Sequence, residues 1–334
     1  MTPRNSSARV KLIDVAARAG VSVSTVSNVV NGRYGVAPDT ITRVQAVIDE
    51  MGYVVNLSAS GLRTGATGVL GILVADFEPY SAELIKGVAN ATRGTKYELL
   101  SHAGGEEHGW ERRSMARLGG TLIDGAVVVT PTVLDVNMIV PIVAIDPHYG
   151  PNKVPTVDSD SYGGAMAATN HLIRLGHRRI AFVEGRHELD SSRLRASGFR
   201  AAMTAAGLPI DEALVRESRY DPDVAGAIAA ELLSLDEPPT AVFAANDVTA
   251  IRVVQTAQAR GLNVPADLSV VGFDDIPQSS LMSPTLTTVR QPLGAMGEAA
   301  MTMLMDLLSG AEGVSHVRMI TELVVRESTA PPAK

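Results

Sequence analysis

Several polar side chains in this 334-residue sequence fall just after short apolar runs. Asp76, Glu78 and Tyr80 follow residues 69–74, and Asp146 follows residues 142–145. Ser191, Arg193 and Arg195 lie beyond residues 180–183. Asn246 and Asp247 follow residues 241–244, and Asp274 and Asp275 follow residues 268–273. Open α/β sheets bind ligands outside the carboxyl ends of their strands, so these side chains are candidates for lining a cleft. Carboxylate, amide and guanidinium groups together suit a neutral polyol, whose hydroxyls both donate and accept. An aromatic such as Tyr80 or Phe273 could cover an apolar sugar face. A different chemistry is suggested nearer the start. Val23, Ser24, Ser27 and Asn28 share the outer face of a short helix, and small polar groups near a helix N-terminus fit the DNA major groove.

Two kinds of element must hold these groups. Residues 10–32 describe two short helices around a tight turn. Leu12, Val15, Ala16 and Ala19 form an apolar stripe at helical spacing. Gly20 supplies the turn, and Ser22 is placed to cap the second helix. Val26, Val29 and Val30 then point inward. A third helix is predicted over residues 38–51, with Pro38 at its first position and Gly52 as its stop. Ala37 makes a weak cap for it. Residues 56–64 are a candidate hinge, the alternative being a plain flexible linker. Beyond them, short apolar runs alternate with amphipathic stretches. Strands are predicted over residues 69–74, 97–101, 126–130, 142–145, 180–183, 241–244, 268–273 and 319–326. Helices are predicted over residues 82–92, 162–175, 193–206 and 223–235. This alternation predicts open parallel sheets, with enough units for two.

Composition narrows the functions. Residues 1–64 hold seven basic against four acidic side chains, a net +3 within a chain of net −7, which leaves −10 for the rest. A basic head on an acidic body suits a DNA reader joined to a module that does not bind DNA. The chain has no cysteine, which excludes disulfide and thiolate chemistry and is compatible with a cytoplasmic protein. No apolar run is long enough to span a membrane, and no signal-peptide core is present. The phosphate-binding, dinucleotide, zinc-protease and serine-hydrolase motifs are all missing, so no enzyme activity and no cofactor is predicted. His171 and His177 lack metal-site spacing, and His177 reads as a loop or capping residue. Asp158, Ser159 and Asp160 read as a loop entering the next helix. Nothing around Trp110, the sole tryptophan, marks it as functional.

Asp14-Val15-Ala16, Ala19-Gly20-Val21-Ser22, Thr25-Val26-Ser27 and Asn31-Gly32 resemble the signature of the lactose-repressor (LacI/GalR) family of bacterial transcription regulators. Gly176-His177-Arg178-Arg179-Ile180, Asn246-Asp247, Gly272-Phe273-Asp274-Asp275 and Arg326-Glu327-Ser328 continue in the family's order. The resemblance implies an all-α helix-turn-helix domain over residues 1–55 and a hinge over 56–67. It implies an α/β effector domain over 68–334, resembling periplasmic binding proteins and built of two doubly wound parallel-sheet lobes. The first lobe would span about residues 68–160 and 291–318, and the second about 161–290 and 319–330.

In function it implies a homodimer on near-palindromic operator DNA, acting in the cytoplasm at the nucleoid and controlled by a small molecule, a carbohydrate above all. Val23, Ser24 and Asn28 would touch base edges, and Ser22, Thr25 and Ser27 phosphates. Many relatives carry Arg at the Asn28 position, so a different operator base is implied. Leu62, with Ala59 beside it, would wedge into the minor groove. The hinge here reads Ala59-Ser60-Gly61-Leu62 in place of the common Ala-Arg-Ser-Leu, which raises the cost of ordering it. Tyr80, Asp146, Ser191, Arg195, Asn246, Phe273 and Asp274 are the effector-binding candidates, with Arg195 and Asp274 foremost. Asp247 reads as a helix cap, Asp275 as a loop former and Arg193 as a surface charge. The tail lacks a leucine heptad, so no tetramerising coiled coil is predicted. A nucleoside or purine corepressor, a protein partner, and a sugar-binding module without DNA regulation stay open as alternatives.

Overall fold

A computed structural model describes residues 10–30, 34–53, 66–105, 107–133, 139–148, 154–311, 313 and 315–333. The hinge candidates Ala59 and Leu62 lie outside the described residues. The chain divides between Ala66 and Thr67 into two compact units.

The first unit holds helices α1 (Leu12–Ala19), α2 (Val23–Val30) and α3 (Pro38–Met51). Val15, Ala16, Ala19, Val26 and Val44 form its buried centre. Gly20 ends α1 at φ 65°, and its N–H returns to the Ala16 carbonyl. The Ser22 hydroxyl accepts the Thr25 N–H at 3.1 Å, which caps the start of α2. Ala37 provides no side-chain cap to α3.

The second unit has two sheets. The first contains β1 (Val69–Val74), β2 (Glu98–Ala103), β3 (Gly125–Val129), β4 (Ile142–Ile145), β5 (Thr156–Ser159) and β11 (His316–Met319). Its strands run in the order β11-β5-β4-β3-β1-β2, all parallel. The second contains β6 (Ile180–Glu184), β7 (Val215–Glu217), β8 (Ala241–Ala244), β9 (Ser269–Asp274), β10 (Thr287–Arg290) and β12 (Glu322–Val324). Its order is β12-β10-β9-β8-β6-β7, with only β12 antiparallel.

Helices cover both faces: α4 (Pro79–Thr92), α5 (Trp110–Leu118) and α11 (Leu293–Leu308) on the first sheet, and α6 (Ser161–Leu175), α7 (Asp190–Ala205), α8 (Pro222–Leu232) and α9 (Asp247–Ala259) on the second. A short α10 (Gln278–Leu281) precedes β10. Strands buried on both sides read as continuous apolar runs, as Val-Leu-Gly-Ile-Leu-Val in β1 does.

Three segments cross between the lobes: β5 into α6, β10 into α11, and β11 into β12. The single strand predicted over residues 319–326 is therefore corrected. Met319 ends β11 in one sheet and Glu322 opens β12 in the other. The Asp158–Asp160 loop is corrected in part. Asp158 and Ser159 finish β5, while Asp160 caps α6 by accepting the Gly163 N–H at 2.9 Å. His177 is buried, bonding the Thr240 hydroxyl and the Ala330 carbonyl, both at 2.9 Å. It thereby ties the C-terminal segment to the second sheet.

Candidate functional site

The exposed start of α2 is a compact hydroxyl cluster. Ser22 Oγ lies 2.7 Å from Ser24 Oγ and 2.8 Å from Thr25 Oγ1. Val23 is 43% exposed on the same face, within the range of the other exposed apolar side chains of this unit, such as Ile41. Ser24 is exposed, whereas Thr25, Ser27 and Asn28 are half-buried. No acidic side chain stands in α2's first turn, so nothing on the helix repels a phosphate. Arg18 is held by Glu50 at 2.6 Å on the surface of the same unit.

The second unit contains a cavity of about 440 Å³. Side chains following β1, β3, β4, β6, β7, β8 and β9 line it, so it sits at the carboxyl ends of both sheets. Tyr80, Asp146, Ser191, Arg195, Asn246 and Asp274 all reach it. Phe273 does not, which corrects its assignment as a sugar platform. It is fully buried, and the Arg195 guanidinium lies over its ring at 3.8 Å. Its role is to support the arginine.

Arg195 is 4% exposed. One of its terminal nitrogens donates to the Ala245 carbonyl at 2.6 Å, and the other stands 3.5 Å from Asp274 Oδ1. Its Nε is buried without a partner among the described residues. Gln291 donates to the same Asp274 oxygen at 2.7 Å and accepts from the Ser159 hydroxyl. Burial drives the Asp274 carboxyl well above its ordinary range, and Arg195 pulls the other way. On the opposite wall the Tyr80 hydroxyl donates to Asp146 Oδ2 at 2.6 Å. Burial lifts Asp146 to about 6, against the pull of that hydrogen bond and of Arg195. Burial also raises the Tyr80 phenol, with Asp146 adding to it, so this pair meets a ligand with its phenol protonated at neutral pH.

Asn246 caps α9 by accepting the Thr249 N–H at 2.9 Å, which commits its oxygen and leaves its NH₂ for a ligand. Asp247 is thus not the cap. It is a buried hub that accepts from Ile276 N–H at 2.9 Å, Ser279 Oγ at 2.6 Å and Thr288 Oγ1. Asp275 bonds Arg290 at 2.7 Å and Arg326 at 2.6 Å, and Arg193 pairs with Asp190 at 2.9 Å, so both keep structural roles.

Trp110, His148, Thr130, Thr132, Arg219 and Tyr220 also line the cavity and were not singled out from sequence. Thr132 follows the strand read over residues 126–130, so the rule that selected Asp146 reaches it, whereas Thr130 falls inside that reading and lies just past the end of β3 in the structure. Tyr220 follows β7, which is too short to be read as a strand. Trp110 carried no signal beyond its rarity. Thr130, Asp146, Arg219, Tyr220 and Asp274 all have positive φ and all line this cavity. Such conformations cost about 1–3 kcal/mol each and gather where side chains must be aimed at a ligand. Among the described residues no group of three or more His, Asp or Glu is placed to hold a metal.

Comparison with known proteins accounts for both units. Residues 11–56 match the model of bacterial regulatory proteins of the lacI family, and residues 169–329 that of a periplasmic binding protein-like domain. Catabolite control protein A of Priestia megaterium is 34% identical over 303 residues, covering 88% of this chain and 91% of that protein. The chain belongs to the lacI family. Among solved structures, a transcriptional regulator CelR–cellobiose complex is 33% identical with a TM-score of 0.72, covering 96% of this chain and 100% of that one. The Lac repressor dimer bound to operator and an anti-inducer is 25% identical with a TM-score of 0.82, covering 96% and 99%. The protein is a DNA-binding transcriptional regulator of the lacI family, whose first unit carries the DNA-binding domain. Among the described residues no helix is long and apolar enough to cross a membrane.

Proposed function

We propose that this regulator is a homodimeric repressor whose affinity for operator DNA is set by a neutral sugar held in the cavity of the second unit. The observation that carries the reading is the Arg195–Asp274 pair. It is buried, stacked on Phe273, and leaves the arginine Nε unpartnered among the described residues beside a 440 Å³ cavity. Ligand pockets fall at about 300–1,000 Å³, so the space accommodates a sugar. Tyr80 and Tyr220 supply flat apolar surface for a pyranose face, and the carboxylates, Ser191, Asn246 and Arg195 supply hydroxyl partners. That a similar regulator was solved with cellobiose and the Lac repressor as a dimer on operator supports both halves.

On DNA, α2 enters the major groove. Val23, Ser24 and Asn28 meet base edges, while Ser22, Thr25 and Ser27 fix register on phosphates, and Leu62 with Ala59 acts in the minor groove. A thermal-shift screen of D-glucose, D-ribose, cellobiose and hypoxanthine tests the effector class. A sugar hit that disappears in Arg195→Ala and in Asp274→Ala is the expected result. A hit for hypoxanthine alone, or one surviving both changes, refutes it. Asn28→Ala should lower affinity for the DNA beside its own gene and relax preference at one base pair, a loss of about 1–3 kcal/mol. Unchanged affinity and preference would reject the role of Asn28.

A further inference from the structure

Glu111 is the second residue of α5 and is fully buried. A buried carboxyl group is costly unless it is bonded. Its Oε1 accepts from the Thr132 N–H, from the Thr132 hydroxyl at 2.5 Å and from the Val133 N–H at 2.8 Å. Its Oε2 is buried with no partner among the described residues. The loop it grips, residues 130–133, leaves the carboxyl end of β3, and Thr130 and Thr132 line the cavity. Thr130 is held at φ 44°. From the other side, the His148 backbone N–H donates to the Pro131 carbonyl at 3.1 Å. Next to Glu111, Trp110 is 2% exposed and lines the same cavity. A Cβ added at Gly104 would come within 2.2 Å of its ring, so strand-end backbone and indole are in close contact.

We propose that Glu111 is a positioning residue of the effector site. It holds residues 130–133 in the conformation that presents Thr130 and Thr132 to the effector, while itself standing behind the cavity wall. This rests on the reading of the cavity as the effector site. The Thr130 N–H donates to the Ile145 carbonyl of β4 at 2.7 Å, but among the described residues the Thr132 and Val133 N–H groups meet only the Glu111 carboxyl group, and without it they would seek water in the cavity or reorient the loop. A bound sugar would then face an unfixed wall and have to order it on binding.

Trp110 is the only tryptophan, so its emission reports on this wall. The test titrates the full chain and its variants with D-glucose, D-ribose and cellobiose, reading Trp110 emission, and follows amide exchange at Thr132 and Val133. Glu111→Leu should raise the sugar Kd about 10- to 100-fold and speed both amides by about tenfold or more, as loss of charge-assisted bonds does. Glu111→Gln keeps an acceptor oxygen and should return the Kd to within about threefold of the parent, which a purely structural defect would not do. Glu111→Asp keeps the charge but is one methylene too short. It should fall near the Leu variant and provides the test should that variant fail to fold. Unchanged exchange at Thr132 and Val133, or equal sugar Kd in all variants, overturns the inference alone. Emission from the parent protein that answers to none of the three sugars overturns the cavity reading and the inference with it.

Discussion

Asp146 is 6% exposed, has φ 45°, and gives one oxygen to the Tyr80 phenol. Burial raises its pKa from 3.8 to about 6. The folded protein therefore holds a proton at this site over a range in which the unfolded chain has lost it. The stability this contributes is fully present below pH 3.8 and is lost as pH rises through about 6. Asn imitates the protonated acid. Asp146→Asn should then melt higher than the parent at pH 7.5, by the equivalent of about 1–3 kcal/mol, with the gap closing by pH 4. Melting both proteins across that range checks it, and a constant gap would refute it. Legibility at this scale followed one rule, polar side chains after apolar runs. The rule found Asp146, Asn246 and Asp274 because strand ends are local in sequence, whereas Arg195 lies in the second turn of α7 and is indicated by the family resemblance. It could not separate Phe273 from the cavity, because which side of a strand faces a ligand depends on what lies under it, here the Arg195 guanidinium.

At the scale of elements, α2 depends on Ser22 twice, as its cap and as a candidate phosphate contact. Substitution separates the two. Ser22→Ala should cost about 1 kcal/mol of local stability, read as roughly fivefold faster exchange of the α2 amides. Ser22→Asp should restore slow exchange, since aspartate caps equally well, yet weaken DNA binding by placing a carboxylate against a phosphate. DNA affinity that simply follows amide exchange, falling in Ser22→Ala and returning in Ser22→Asp, would show that Ser22 only caps. The elements most legible in sequence were those with unbroken patterns. Residues 69–74, 142–145 and 241–244 are strands as read, and residues 38–51 are a helix as read. The missed strands β5, β7, β10 and β11 are three or four residues long and carry Thr, Asp, Ser, Glu, Arg or His. Their polar groups are satisfied by distant partners, as Thr288 is by Asp247 and Asp158 by Arg318. No local pattern records such bonds. The single strand read over 319–326 failed for a related reason, because a change of sheet across Ile320 and Thr321 is a property of the whole lobe pair.

For the molecule as a whole, regulation requires that a ligand in the cavity favour one arrangement of the second unit over another. The crossing segments are the parts shared by both lobes, and Gln291 sits in one of them, 3% exposed. It accepts from Ser159 at the end of β5 and donates to Asp274 at the end of β9, so one side chain joins the two sheets to the Arg195 pair. Gln291→Leu keeps comparable bulk but strands the Ser159 hydroxyl, a buried polar group worth about 1–3 kcal/mol when unpaired, and leaves Asp274 Oδ1 to the longer 3.5 Å contact with Arg195. The sugar Kd should rise about tenfold from the loss of the aimed Asp274. The more telling quantity is the ratio of operator affinities with and without saturating sugar. In a regulator coupled by about 1–3 kcal/mol that ratio is about 5- to 150-fold, and in Gln291→Leu it should fall toward one even at sugar concentrations that fill the site. Linkage gives an internal check, since operator must change sugar affinity by the same factor as sugar changes operator affinity in each protein. A variant that binds sugar weakly but keeps the full ratio at saturation would place Gln291 in the binding site alone. Coupling would then have to run through the β5–α6 or β11–β12 crossing, where Asp160 and Thr321 are the next pair to break.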